Sequence, residues 1–354
     1  MRELSQGIKN LLDEVIARNA SDLHLLVGTA PVLRIDGRLA IVPKSQALTE
    51  SDCEALVGGL LLENHLELLR HRKELDFSFG YRNLRFRTNV YYQKGSLAAS
   101  LRSISNEIQS FTELGLPPVI EKFTNCSQGF VLITGPTGHG KTTTLASMIN
   151  HINETRSEHI VTIEDPIEYV FNNKKSIISQ RELGSDTNSF SRALRASLRE
   201  DPNVVLIGEI RDLETVETAL TIAETGHLVF ATLHTNSAAQ TADRIINVFP
   251  PHQQQQIKQQ LASVLLGVVS QRLMPRVSGG RVVAAEIMVA NTAVKSLIRE
   301  GKTYQLPNVI QTSAAEGMIS LDKVLAELVS KGEVTIDDAL TWATDPKAFK
   351  MMIY

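Results

Sequence analysis

A chain of 354 residues can build two or three domains with ample buried core, so nothing in its size calls for disulfide or metal staples. Its 36 Lys and Arg stand against 39 Asp and Glu, and the basic residues are scattered, which excludes the global positive field of a general nucleic-acid binder. Two cysteines, Cys53 and Cys126, with no CxxC spacing exclude both a disulfide framework and a four-thiolate zinc site within one chain.

In chain order, MRELSQGIKNLLDEVIARN has the spacing of an amphipathic helix and no apolar signal core. No later run approaches the roughly 20 apolar residues of a membrane span. A cytoplasmic protein without an integral membrane segment is expected. Residues 21–101 alternate short β-like runs, SDLHLLVG, PVLRIDGRL, ELDFSFGY, LRFRTNVYY and SLAASLRSI, with one helical pattern from Thr49 to about Arg72. That mixture predicts a small α+β domain. SISNEIQSFTELGLPP breaks the pattern and reads as a linker, about 103–117, with a domain boundary near residue 112 and a helix starting near Pro118.

From Gly129 the pattern changes to apolar strands, FVLIT, HIVTIED, VVLIGEI and LVFATLH, with helical segments between the first three. Apolar runs without alternation, separated by helices, predict a parallel sheet buried on both faces. After Asn236 the pattern becomes mostly helical, and PHQQQQIKQQLASVLLGVVSQRLMP is expected to be helix with its glutamines on a solvated face.

GPTGHGKTTT follows FVLIT and precedes a helical pattern, the setting that the GxxxxGK[ST] motif requires. Its glycines let consecutive backbone N–H groups face phosphate oxygens, and the helix N-terminus adds its positive dipole end. Gly135, Pro136, Thr137, Gly138, His139, Gly140, Lys141, Thr142 and Thr143 are therefore the expected nucleotide-binding stretch. Lys141 is expected to reach the β- and γ-phosphates and the Thr142 hydroxyl to ligate Mg2+. His139 occupies a free motif position and reads as an incidental exposed residue. Glu209 emerges after the apolar run Val204–Ile207, at the rim where open α/β sheets bind ligands, and is the expected base for the attacking water. IEDPIE offers Glu164 and Glu168 for the metal or its waters. His227 and His234 bracket a strand-like segment at an odd spacing, which points them to opposite faces and makes them poor partners for one metal. Each reads either as a phosphate sensor or as a packing residue.

These elements in this order resemble the bacterial secretion ATPase superfamily, the motors of type II and type IV secretion and of type IV pili. Its Walker A motif is GPTGHGKTTT here, its Asp box IEDPIEY, its Walker B motif VVLIGEIRDLET and its His box TGHLVFATLHT. SDLHLLVGTAPVLRIDGRL resembles the superfamily's PAS-like N-terminal domain. The resemblance implies a PAS-like α+β domain over 1–111 and a RecA-like α/β P-loop ATPase domain with C-terminal helices over 112–354. It also implies a homohexamer using ATP and Mg2+, with Arg87 and Arg102 of one subunit completing the neighbour's catalytic site. Length and two cysteines separate the chain from extension and type II secretion ATPases, which carry an extra N-terminal domain and a tetracysteine element. It is similar instead to the pilus retraction, twitching-motility branch. AVKSLIREGK, Ala293 to Lys302, resembles that branch's C-terminal motif AIRNLIREGK, and Leu297 and Ile298 are expected to couple hydrolysis to the pilus machinery. Val294, Lys295 and Ser296 depart from that form, so a paralogous pilus or pseudopilus assembly motor stays open. So does a nucleotide-dependent switch with negligible turnover. The implied partners are an inner-membrane platform protein and the pilus machinery, with the ring peripheral at the inner-membrane pilus base and no nucleic acid.

Overall fold

The computed structural model describes residues 4–35, 38–82, 84–104 and 107–353, apart from the side chain of Asn64. Residues 36–37 of PVLRIDGRL and residues 105–106 of the expected linker lie outside them. The chain forms two compact units, Met1–Glu107 with Glu168–Val170, and Ile108–Ile167 with Phe171–Tyr354.

The N-terminal unit opens with helix α1 (Gln6–Ala17), which buries Ile8, Leu11, Leu12 and Val15 at helical spacing. Strands β1 (Asp22–Leu25), β2 (Val32–Ile35) and β3 (Arg38–Ile41) follow, then α2 (Glu50–Gly58), α3 (Glu63–Arg72), β4 (Glu74–Tyr81), β5 (Leu84–Gln93) and β6 (Ser96–Ile104). The strands form one antiparallel sheet in the order β3-β2-β1-β6-β5-β4. Leu23, Leu25, Leu33, Phe86, Val90 and Leu101 join the helices in the core. The single helix expected from Thr49 to Arg72 is two. Thr49 starts α2 with a reciprocal cap to Asp52, and the helix stops at Gly58-Gly59. Each glycine costs a helix roughly 1 kcal/mol relative to alanine. The break lets Leu60 and Leu61 turn into the core.

The second unit contains α4 (Val119–Thr124), β7 (Gly129–Thr134), α5 (Lys141–Thr155), β8 (His159–Glu164), β9 (Ile177–Glu182), α6 (Phe190–Ser197), β10 (Val204–Ile207), α7 (Leu213–Glu224) and β11 (Leu228–Leu233). It continues through α8 (Ala238–Asn247), α9 (Pro251–Val264), β12 (Leu265–Pro275), β13 (Arg281–Val289), α10 (Thr292–Glu300), α11 (Leu306–Thr312), α12 (Leu321–Ser330), α13 (Ile336–Leu340) and α14 (Pro346–Ile353). Its sheet runs β13-β12-β7-β11-β10-β8-β9, parallel except for the antiparallel pair β12 and β13. The absence of alternation in β7 has a direct cause. Phe130 and Leu132 enter the core shared with α6 to α11, whereas Val131 and Ile133 enter the core shared with α4 and α5. A smaller core joins Met274, Val282 and Ala284 to Leu321, Leu325 and Phe349.

Two expectations are corrected in this unit. The helix expected through LMP ends at Val264, and LLGVVSQRLMP is strand β12, which pairs with the otherwise open edge of β7. Short apolar runs are ambiguous between helix and strand, and here the unpaired backbone of β7 decides. Gly267 permits the close approach, because a Cβ there would collide with the Phe123 ring. β9 was not expected either, since IISQRE is a part-exposed edge strand with few apolar residues.

Candidate active site

The β strands of a parallel sheet all end on one rim, and β7, β11, β10 and β8, neighbours in that order, bring four motifs together there. After β7, which is buried at all six positions, the chain turns through Gly135, Gly138 and Gly140, all at positive φ, into α5. Gly135 has no alternative, since a Cβ would overlap the Gln271 carbonyl oxygen. No side-chain hydrogen bond caps the N-terminus of α5, which carries the positive end of the helix dipole.

Lys141 is 8% exposed and curls back over the loop, its Nζ donating to the carbonyl oxygens of Gly135 (2.8 Å) and Pro136 (2.9 Å). His234, at the end of β11, places Nδ1 3.5 Å from both Lys141 Nζ and Thr137 Oγ1, and Nε2 3.4 Å from a Glu209 oxygen. Arg211 pairs with the other Glu209 oxygen and lies 3.3 Å from Asp165. Burial would raise the Glu209 carboxyl, but hydrogen bonds and charge from Arg211 and His234 outweigh it and hold the group below its usual range. Glu209 is therefore ionised and able to accept a proton at neutral pH. Glu164 is 5% exposed at the end of β8, accepting from Thr162 Oγ1 (2.6 Å) and Gln180 Nε2 (3.2 Å).

Glu164 ends β8, Glu209 and His234 lie just beyond β10 and β11, and Lys141 opens α5 after the loop that follows β7. His227 does not join them. It precedes β11 at the opposite rim, roughly 20 Å from His234 by strand rise. There its Nδ1 lies 3.0 Å from the Ile222 carbonyl and 3.1 Å from Thr225 Oγ1, closing the end of α7. Glu168 is exposed and belongs to the N-terminal unit. His139 is not an incidental exposed residue: it is half-buried, and its Nδ1 accepts the Leu273 N–H at 2.9 Å. That bond places the ring proton on Nε2. Burial, then Arg272, Lys141 and Arg281, lowers its pKa from the ordinary 6.5.

Arg87 and Arg102 lie on the N-terminal sheet as direct cross-strand partners, both exposed. A row runs across that sheet through Ser78, Arg87, Arg102, Asp22 and Arg34. Arg102 Nε donates to Asp22 Oδ1 at 2.8 Å, and Arg34 Nε lies 3.6 Å from Asp22 Oδ2. Opposed like charges destabilise a strand pair, and Asp22 offsets this on one side only.

Arg211, Asp165 and Gln271 were missed by sequence reasoning. Arg211 and Asp165 lay inside quoted motifs, and only the pairing of β8 with β10 brings them within 3.3 Å of each other. Gln271 is 132 positions from His139, to which it is hydrogen-bonded, and no local signal marks it.

A phosphate-cradling loop between strand and helix, a buried lysine and an ionised strand-end carboxylate, all on a mostly parallel sheet, define a RecA-like P-loop ATPase. The family model described as Type II/IV secretion system protein matches residues 2–340, and the chain belongs to that family. It is 43% identical over 346 residues to the type IV pilus retraction ATPase PilT of Pseudomonas aeruginosa, covering 97% of this chain and 99% of that one. It is 45% identical over 338 residues to a twitching motility protein of Neisseria gonorrhoeae, covering 95% and 90%. A crystal structure of the pilus retraction motor PilT with bound ADP matches with a TM-score of 0.91 at 48% identity, covering 99% of this chain and 100% of that one. No described helix is long and apolar enough to cross a membrane.

Proposed function

We propose that the protein is an ATP-hydrolysing motor that drives type IV pilus retraction and twitching motility. The carrying observation is the convergence of Lys141, His234 and Glu209 at one sheet rim, on a fold shared over nearly its whole length with a retraction motor. The α5 N-terminus and the loop amides bind the phosphates, and Lys141 exchanges its loop carbonyls for phosphate oxygens. Glu209 orients the attacking water and takes its proton, releasing Arg211 as it does so. His234, within reach of the lysine and of Glu209, senses the terminal phosphate.

Among the described residues no group of three or more His, Cys, Asp or Glu is placed to hold a metal by itself. That donor set fits Mg2+ held chiefly by phosphate and water, as is usual for this ion. The Thr142 hydroxyl, on the first turn of α5, and Glu164, through a water, would hold it, and Glu168 is a further candidate. Bound there, Mg2+ neutralises charge on the transferring phosphoryl group.

In this reading the working form is a homohexamer. Residues 1–111 form the PAS-like domain and residues 112–354 the ATPase domain, and Arg87 and Arg102 act on the neighbouring subunit's phosphates. The ring sits peripherally at the inner-membrane pilus base and acts on a platform protein through the segment around α10. Deleting the gene in its host and counting surface pili tests the assignment. Excess, non-retracting pili are expected, restored to normal by the wild-type gene and not by Lys141→Ala. Loss of pili in the deletion strain would instead identify an assembly motor.

A further inference from the structure

We infer that Gln271 is a positioning residue of the phosphate loop, holding the His139–Gly140 peptide so that its N–H faces the nucleotide; this rests on the ATPase reading above. Gln271 is fully buried in β12, immediately after Ser270, the last residue paired with β7. A buried amide is costly unless its donors and acceptor are used, and both ends are used here on the loop and its helix. Its Nε2 donates to the His139 carbonyl at 2.7 Å, and its Oε1 accepts from Thr144 Oγ1 of α5 at 2.9 Å. Its own carbonyl occupies the space a side chain at Gly135 would need. One residue therefore touches the first glycine of the loop, its penultimate carbonyl and the helix that follows.

The consequence comes from peptide geometry. In a trans peptide the C=O and N–H point in opposite directions. Fixing the His139 carbonyl on Gln271 therefore turns the Gly140 N–H away from β12, toward the concave side of the loop. Gly140 has positive φ and would flip readily without that anchor. Two residues further along β12, the Leu273 N–H holds the His139 ring, so the same strand fixes both the peptide and the side chain. The clamp is made entirely by protein atoms, so holding the loop needs no contact from the nucleotide and lowers the ordering cost of binding.

Gln271→Glu tests this with nearly unchanged volume. The ionised carboxylate still accepts from Thr144 but cannot donate to the His139 carbonyl, so the peptide loses its anchor; because burial favours the protonated acid, which could donate, affinity is compared at neutral and at alkaline pH. Losing one such bond and leaving a buried carbonyl facing an acceptor should raise the KM for ATP and the Kd for ADP by about 10-fold or more. An interaction made equally in ground and transition states leaves kcat within about threefold. The measurements are steady-state hydrolysis, ADP calorimetry and the melting temperature of the full chain. A folded variant with unchanged nucleotide affinity overturns the inference, as does a fall in kcat without any rise in KM or Kd. If Gln271→Glu does not fold, Thr144→Val carries the test, because it removes the tether on the other side of the amide. It should raise KM several-fold, and unchanged KM there overturns the inference. A wild-type protein that neither binds ADP nor hydrolyses ATP breaks the ATPase reading itself, whereas an active wild type with an indifferent Gln271 variant overturns the positioning role alone.

Discussion

The two sheets handle charge in opposite ways. In the parallel sheet strands β7, β10 and β11 are buried at every position, and charged groups meet at the rim beyond them, each with named partners: Glu209 with Arg211 and His234, Lys141 with the loop carbonyls. In the antiparallel sheet one face is buried, and charge is spread along the other, with Arg87, Arg102, Asp22 and Arg34 side by side. The first arrangement is preorganised for chemistry within one subunit. The second sets two exposed arginines at directly opposed cross-strand positions with one carboxylate on Arg102, an arrangement that an anionic partner at Arg87 would favour.

The largest effect expected from this contrast is at Arg87. If the exposed row serves a neighbour's phosphate, Arg87→Ala should lower turnover roughly 1,000-fold or more, the usual worth of such an arginine. Arg87→Ala and Glu209→Gln subunits, each inactive alone, should regain hydrolysis when mixed, at interfaces where an intact Arg87 meets an intact Glu209. Steady-state hydrolysis across mixing ratios, with assembly and subunit exchange verified, is the measurement. No recovery would return the arginine row to a solvated sheet face.

The same opposition of buried and exposed recurs within α10 and corrects the expectation placed on its motif. Val294 and Ile298 are fully buried, Leu297 packs against the same core, and Arg299 and Glu300 face outward. Polar replacement of Leu297 and Ile298 would therefore disturb the fold and leave coupling untested. Ile298→Ala should cost about 3 kcal/mol in chemical unfolding. Arg299→Ala should change stability by less than about 0.5 kcal/mol, spare hydrolysis and impair twitching. Lost hydrolysis in a stably folded Arg299→Ala ring would contradict this division of labour.

At the rim itself, Glu209→Gln should retain nucleotide binding and lose turnover on the order of 100-fold. Near-normal turnover would move the base to another carboxylate, with Glu164 the first to test.

The smallest effect concerns His139. Its folded pKa lies below 6.5, so the unfolded chain takes up a proton that the folded loop refuses. Its contribution is fully present above about 6.5 and declines as pH falls below that value. His139→Gln should flatten this part of the profile of melting temperature against pH. An unchanged slope would mean that the ring is not held neutral by its surroundings.

That GPTGHGKTTT runs from strand to helix and that Glu164 and Glu209 stand at strand ends were legible because each is written locally: glycines where φ must be positive, a lysine at the helix start, an apolar run ending in a carboxylate. The same local reading misjudged β12, ran α2 and α3 together as one helix, and missed β9. In each case the deciding term was a partner far along the chain or a pair of glycines whose cost depended on what Leu60 and Leu61 could bury. His227 and His234 show the limit most clearly. They share one motif and flank one strand, yet parallel pairing sends one to the phosphate rim and the other to the opposite end. By itself the sequence determined the kind of chemistry and the class of fold, because backbone conformation and residue type at short range dictate them. Only the tertiary structure decided which charges meet, that Arg211 faces Glu209, that Arg87 stands beside Arg102, and that Gln271 clamps the loop. Hydrogen bonds and ion pairs act over a few ångströms in space, and distance along the chain does not measure that.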